Sequence, residues 1–549
     1  MLIPPSLDAA WQRLGRLPAA RVTWTLAAIF SLWAVLDVMV LQLSSGMALS
    51  TYDAMVRLRF HAAAPDPRIV VVDIDEPSLA RMAGEFGRWP WPRDTLATVL
   101  AHIERQQPAA VVWDVLFADA DLHNPGGDAA FDAAASLSMH SHFPVVRLPA
   151  ANDAQSRVTH AQLPGLWAKP LTMGAAGGST PATLALIPPV LPAVAAGRLG
   201  YNNGYVDGDG VLRRYRYAQV LGDGSVIQSL PLSVLGAIDL EAYTARLASA
   251  ERLFDQKNSG ELIAWRPVAN AYPRVAFADV FVQAEGGQPL GLVPGFANKV
   301  VIIGATAPSL HDIHPTPLSA YHAGVDSLAT ALDNGLNQRQ LMELPRWLQA
   351  VLACALSVGI GLWASWRGVS SLAPVLLVLP AGLLLVSYLS LNLTPVFVDL
   401  HLAAGLALLF LAVLRQWNSL RRDCWCRMPA TPPGEPLLAW LVLAPLPWTG
   451  VRFDRLLDAV QAGAPESRVV AVDAMAVWPS RLSWPDLVRV VAVVGPESTL
   501  TRALPGLQVR LQPLLDPAIP PVVLPVSPKA LMPILFKGWA TLLAAEAQS

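Results

Sequence analysis

Four long apolar runs, unevenly spaced, constrain this chain more than anything else in it. Val22–Leu43 comes first, and Trp347–Trp366, Leu372–Leu391 and Thr394–Leu414 follow in quick succession after a long mixed region. Each run has about the twenty residues that a helix needs to cross ~30 Å of hydrocarbon. A backbone amide in lipid has no water to bond, so such runs are expected as transmembrane helices. The first has too long an apolar core for a cleaved signal peptide, and no small-residue cleavage pattern follows it. Basic residues set the orientation. Arg13, Arg16 and Arg21 precede the first run, Arg367 lies between the second and third, and Arg415, Arg421, Arg422 and Arg427 follow the fourth. The loop Asn392–Asp399 has no Lys or Arg. One topology satisfies these charges: residues 1–21 and 429–549 are cytoplasmic, and residues 44–345 lie outside. Asp37, the one charge in the first run, is costly there; it either faces a partner in a relay or packs against polar groups near the outer surface.

Hydrophobic residues make up 53% of the chain and the mean hydropathy is +0.41, too apolar for a soluble protein yet diluted by large polar regions. A formal net charge of −2 and the absence of a clustered basic groove exclude nucleic acid as a partner. Of the three cysteines none lies in residues 44–345, so that region is expected to fold without disulfides. Cys424 and Cys426 flank Trp425 with no second pair or nearby His to complete a tetrahedral site, and read as ordinary thiols or a palmitate-like surface pair.

Within the outer region the β-branched run Ile69–Val72 reads as a buried strand ending in acid at Asp73 and Asp75. A short helix is expected over Ser78–Ala83, followed by the stiff turn Trp89-Pro90-Trp91-Pro92-Arg93, whose prolines fix φ. A second strand, Ala109–Trp113, ends in Asp114, with Asp119 and Asp121 beyond. Phe143–Arg147 and Val300–Gly304 are also strand-like, and Thr95–Gln106 and Asp128–Leu137 helical. The alternation predicts an α/β domain with a mostly parallel sheet.

These motifs together resemble the class 2 CHASE domain, an extracytoplasmic sensor module of bacterial membrane receptors. The likeness continues through Asp207-Gly208-Asp209-Gly210-Val211-Leu212-Arg213-Arg214, Phe277-Ala278-Asp279-Val280-Phe281, and Lys299–Ala307 with Leu310-His311-Asp312 and Thr316-Pro317. One position departs: after Gly324-Val325 the family usually carries a histidine before an alanine, and here Leu328 precedes Ala329, so no role is carried over to it. The resemblance implies a bacterial inner-membrane protein with a periplasmic sensor at residues 44–345, membrane helices at 22–43, 347–366, 372–391 and 394–414, and an extracytoplasmic ligand that the residues do not identify.

Ligands of open α/β sheets bind beyond the carboxyl ends of strands. Asp73, Asp75, Asp114 and Asp312 are therefore expected to converge on one crevice, with Arg93 as counter-ion and Trp89 and Trp91 as cover. Four acids and one base suit a cationic ligand or a hard divalent metal; equally, Asp at strand ends and helix starts forms caps and turns, and the indoles can plug the core. No metal site and no cofactor is assigned. His311, His314 and His322 lie close enough in sequence to bind metal or sense pH, or simply to be solvated. Pro164–Pro192, with Gly174 to Ser179 at its middle, reads as a surface excursion, because no Lys-Ser/Thr ending makes it a phosphate loop.

Residues 429–549 read as a small cytoplasmic α/β domain, with strands at Leu437–Ala444, Arg468–Val472 and Arg489–Val494 and helices at Phe453–Ala462 and Pro528–Ala545. No cyclase, kinase or diguanylate cyclase motif is found, and Asp473 and Lys529 lack the setting of receiver chemistry. Leu531, Leu535, Trp539 and Leu542 share one helix face, which packs on its own sheet or docks a partner. The expectation is a sensor that signals through its membrane helices and a non-catalytic module to a cytoplasmic protein partner, in contact with the lipid bilayer and compatible with a homodimer. Two alternatives stay open: an assembly factor of a cell-envelope complex, or a signalling enzyme with an unrecognised output domain.

Overall fold

The computed structural model describes residues 13–168, 183–221, 225–253, 260–268, 271–426, 436–471, 488–527 and 530–548. Arg427, Asp473, Lys529 and the glycine-rich centre of Pro164–Pro192 lie outside these residues. The chain divides into two compact units, one of residues 46–344 and 388–398, the other of residues 1–45, 345–387 and 399–549.

The first unit is built on a seven-stranded sheet. In chain order its strands are β1 (Ile69–Ile74), β2 (Ala110–Trp113), β3 (Ser141–Arg147), β4 (Leu186–Ile187), β5 (Arg198–Tyr201), β6 (Arg274–Ala276) and β7 (Val300–Ala305). The spatial order runs β6-β1-β7-β2-β3, with β5 and β4 both pairing β3; every pairing except that of β4 is parallel. β1 and β2 are buried at every position, which is why their sequences are continuous apolar runs rather than alternating ones. The connecting helices cover the sheet; Glu76–Phe86 starts at an Asp75 cap and Arg93–Glu104 follows the Trp-Pro turn. The flanks of Pro164–Pro192 are not a free surface excursion: Leu166, Leu184, Leu186 and Leu191 belong to the core. At the far end of this unit Met342–Glu343 pairs with Val396–Phe397, and Asn392 Oδ1 accepts from the amides of Phe60 and His61 at 3.0 and 3.1 Å.

Among the described residues four helices are long and apolar enough to cross a membrane: Ala19–Leu41, Arg346–Arg367, Val375–Leu393 and His401–Cys426. The third and fourth begin later than hydropathy predicts. Val369–Leu372 is a tight 3-10 turn, and the stretch from Thr394 contributes the short strand Val396–Phe397 before helix resumes at His401. Phe30 stacks on Phe410 at 5.1 Å inside the bundle. Asp37 opens a π-helical turn, and its carboxylate accepts from the amide of Leu43 at 2.8 Å and from Ser44. Local backbone and hydroxyl donors therefore satisfy this carboxylate.

The C-terminal domain of the second unit is a four-stranded antiparallel sheet, ordered 468–471, 490–496, 437–443, 522–526. Side chains alternate across it. Trp440 and Val442 face Leu457, Val460, Leu500 and Leu507, whereas Ala439, Leu441 and Leu443 face Leu535, Trp539 and Leu542. The closing helix thus spends its apolar face on its own sheet. Sequence reasoning missed the strand Val522–Val526 and the helix Glu497–Leu511, which carries an internal Pro505.

Candidate functional site

Parallel strands bring their carboxyl ends to one edge of the sheet, and two acidic groups form there. The first surrounds Asp73, at the end of β1. Its carboxylate accepts from Thr306 Oγ1 at 2.6 Å and from Arg274 at 3.1 Å, and Arg274 also bonds Asp326. Burial pushes the Asp73 carboxyl up, with Thr306 and Arg274 holding it back. His322 is pushed down by burial and Arg274 against the pull of Asp326; its ring meets Trp265 edge-on at 5.4 Å.

The second group is Asp114, following β2, and Asp312. Asn202, following β5, donates to Asp114 Oδ1 at 2.5 Å. Withdrawal from water, reinforced by the charge of Asp312, pushes the Asp114 carboxyl up to about 7. Asp312 is itself raised by burial, and His314, at 3.8 Å, pulls it back. The backbone is glycine where it passes these acids. A Cβ on Gly324 would come 2.5 Å from the Asp312 carboxylate, and one on Gly304 2.9 Å from Asp114 Cβ. A carboxyl raised to about 7 beside a second raised carboxyl can accept a cationic or hydrogen-bond-donating ligand, or respond to protons directly.

The remaining sequence candidates are engaged in other ways, although Asp75, directly after β1, adds its charge to the forces that raise the Asp73 carboxyl. Asp75 caps its helix by accepting from the Ser78 amide at 2.8 Å. Arg93 is not the counter-ion of the strand-end acids: it pairs with Asp128 at 2.5 Å and also reaches the Asp119 carbonyl. Arg274 is the counter-ion instead. Trp91 is 2% exposed and packs on Phe277 at 5.1 Å, with Trp89 edge-on to it at 5.0 Å, so the pair packs into the core. Among the described residues no group of three or more His, Cys, Asp or Glu could hold a metal ion, and His314 and His322 instead face each other across a two-stranded ladder.

A third charged group gathers at the Asp207–Gly210 turn, where Gly210 takes φ +83°. Arg213, 1% exposed, bonds Asp53, Asp207 and Asp209, and Arg214 bonds Asp207 and Glu343. The sequence marked the turn, but nothing local in it points to Asp53 or Glu343.

A mixed α/β domain flanked in the chain by helices of membrane-spanning length, with its polar groups at strand ends, has the architecture of a membrane-anchored sensor domain. Residues 25–363 match the family model of the CHASE2 domain, from inside the first apolar helix to inside the second. The chain belongs to this family of extracytoplasmic sensor domains. No curated protein and no solved structure matches it.

Proposed function

We propose that the chain is a receptor of a bacterial inner membrane, with its α/β domain in the periplasm and its C-terminal domain in the cytoplasm. The Asp114–Asp312 edge takes the input, and the C-terminal domain passes a change of state to a partner protein without catalysing a reaction. The observation that carries this reading is the clasp at Arg213 and Arg214. Asp53 stands on the helix Ser45–Arg57 that follows the first apolar helix, and Glu343 stands just before the second begins at Arg346. One rigid turn therefore grips both segments of chain that lead to the membrane, so a shift of that turn moves both together. The non-catalytic reading rests on the sequence after Pro429, which has neither a glycine-rich phosphate loop nor the grouped acids that phosphoryl transfer requires.

The test is topological and enzymatic. A reporter active only outside the membrane, inserted at the exposed turn around Gly286, is expected to be active, and one fused after Gln548 silent. The reverse pattern removes the sensor reading. Magnesium-dependent nucleotide turnover by the purified membrane protein, lost on deleting residues 436–548, would make the C-terminal domain an enzyme.

A further inference from the structure

A cavity of about 280 Å³ opens where the fourth apolar helix runs out of the bundle. One wall is a single face of that helix. Leu411, Leu414, Arg415, Asn418, Ser419 and Arg422 recur at spacings of three and four, so they stack along one stripe. The stripe changes character along its length, from leucines deep in the apolar run to arginine and amide groups beside the C-terminal domain. The facing wall repeats the gradient: Leu372 and Leu376 pack in the same cluster as the leucines, and Ser370 Oγ accepts from Asn418 Nδ2 at 3.0 Å.

The polar end of the cavity is incompletely bonded. Asn418 is 7% exposed, yet its Oδ1 has no partner, and neither has the buried Nε of Arg422. Arg422 Nη2 reaches Ser370, the Gly450 carbonyl and Asp454; Arg415 stands exposed at the rim. Two arginines against the one carboxylate of Asp454 leave the cavity positive by one charge. A buried polar atom left unmatched costs free energy, so the site suits a group that accepts from guanidinium and donates to an amide oxygen. We propose that the cavity binds the headgroup of an anionic phospholipid. The phosphodiester lies between Arg415 and Arg422, a headgroup hydroxyl donates to Asn418 Oδ1, and the acyl chains run along the leucine end into the bilayer. A single negative charge neutralises the site, which a zwitterionic headgroup does not. The volume, near the small end of ligand pockets, holds a headgroup whose tails remain outside. The inference rests on the apolar helices spanning a membrane and is independent of what the α/β domain senses.

The test is native mass spectrometry of the full chain in detergent, after incubation with phosphatidylglycerol or phosphatidylethanolamine, each with and without millimolar inorganic phosphate. One retained phosphatidylglycerol is expected, with little phosphatidylethanolamine and no displacement by phosphate. R415Q, at an exposed position, should lower retention about tenfold, the loss of one charge-assisted contact. A373W, also at an exposed lining position, should abolish it by filling the cavity. Equal retention of the two lipids overturns the proposal, as does retention unchanged in both variants. Displacement of the lipid by inorganic phosphate assigns the site to a free phosphate and overturns the lipid reading.

Discussion

Arg213 donates from Nε and Nη2 to the two carboxylate oxygens of Asp53, at 2.8 and 2.7 Å across 160 residues of sequence. The same guanidinium meets Asp209 at 2.8 and 2.7 Å. The cation is buried and its carboxylates are partly exposed, so Arg213→Ala, which leaves three acids clustered without their counter-charge, is expected to destabilise the α/β domain by about 3 kcal/mol. Asp53→Asn leaves Arg213 its other partners and should cost about 1–3 kcal/mol. Thermal unfolding of the full chain in detergent measures both. If the clasp transmits state, Asp53→Asn should also uncouple the output at temperatures where the fold persists. Equal, small losses from the two variants would mean that the clasp is solvated and does not hold the turn.

Asp114 makes stability depend on pH. Its carboxyl titrates at about 7 in the folded chain and at about 4 when unfolded. Between those values Asp114 binds more protons in the folded state than in the unfolded one, so its contribution to stability is fully present below about pH 4 and is lost as pH rises through 7. The limit of this effect is about 4 kcal/mol. Asp114→Asn should flatten the profile and be relatively more stable than the parent at pH 8. A stability difference between parent and Asp114→Asn that does not change between pH 4 and 7 would refute the raised carboxyl.

Asp75 and Trp91 separate capping from packing. Asp75→Ala removes one helix cap and should cost about 1 kcal/mol, leaving signal response intact. Trp91→Ala opens the core beside Phe277 and should cost about 3–5 kcal/mol. Denaturant midpoints distinguish them; a response lost in Asp75→Ala at unchanged stability would return Asp75 to the binding site.

In the C-terminal domain Trp539 is fully buried against the sheet face of Ala439 and Leu441. Trp539→Ala is expected to cost about 3–5 kcal/mol, read from the loss of protease resistance after residue 436. A variant that keeps full resistance but loses a bound partner would make this helix a docking face.

What was legible in the sequence followed from local chemistry. The strands β1, β2 and β7 announce themselves as β-branched runs because both their faces are buried, and Asp75 stands where a cap must before Pro77. The helix Glu497–Leu511 was hidden because Pro505 interrupts a pattern that packing nevertheless sustains. Val522–Val526, which contains Pro525, is a strand only because Leu437–Leu443 offers it an edge to pair with.

By itself the sequence determined the apolar runs, the parallel α/β core and the family, since each depends on residues adjacent in the chain or repeating at a helical or strand period. Only the tertiary structure decided the partners of the charges. Asp73 finds Arg274, Arg93 finds Asp128, Asp114 finds Asn202, and Arg213 finds Asp53. A buried charge must be matched by whichever opposite charge or hydrogen-bond donor the fold carries to within about 3 Å, and most of these groups stand far away along the chain.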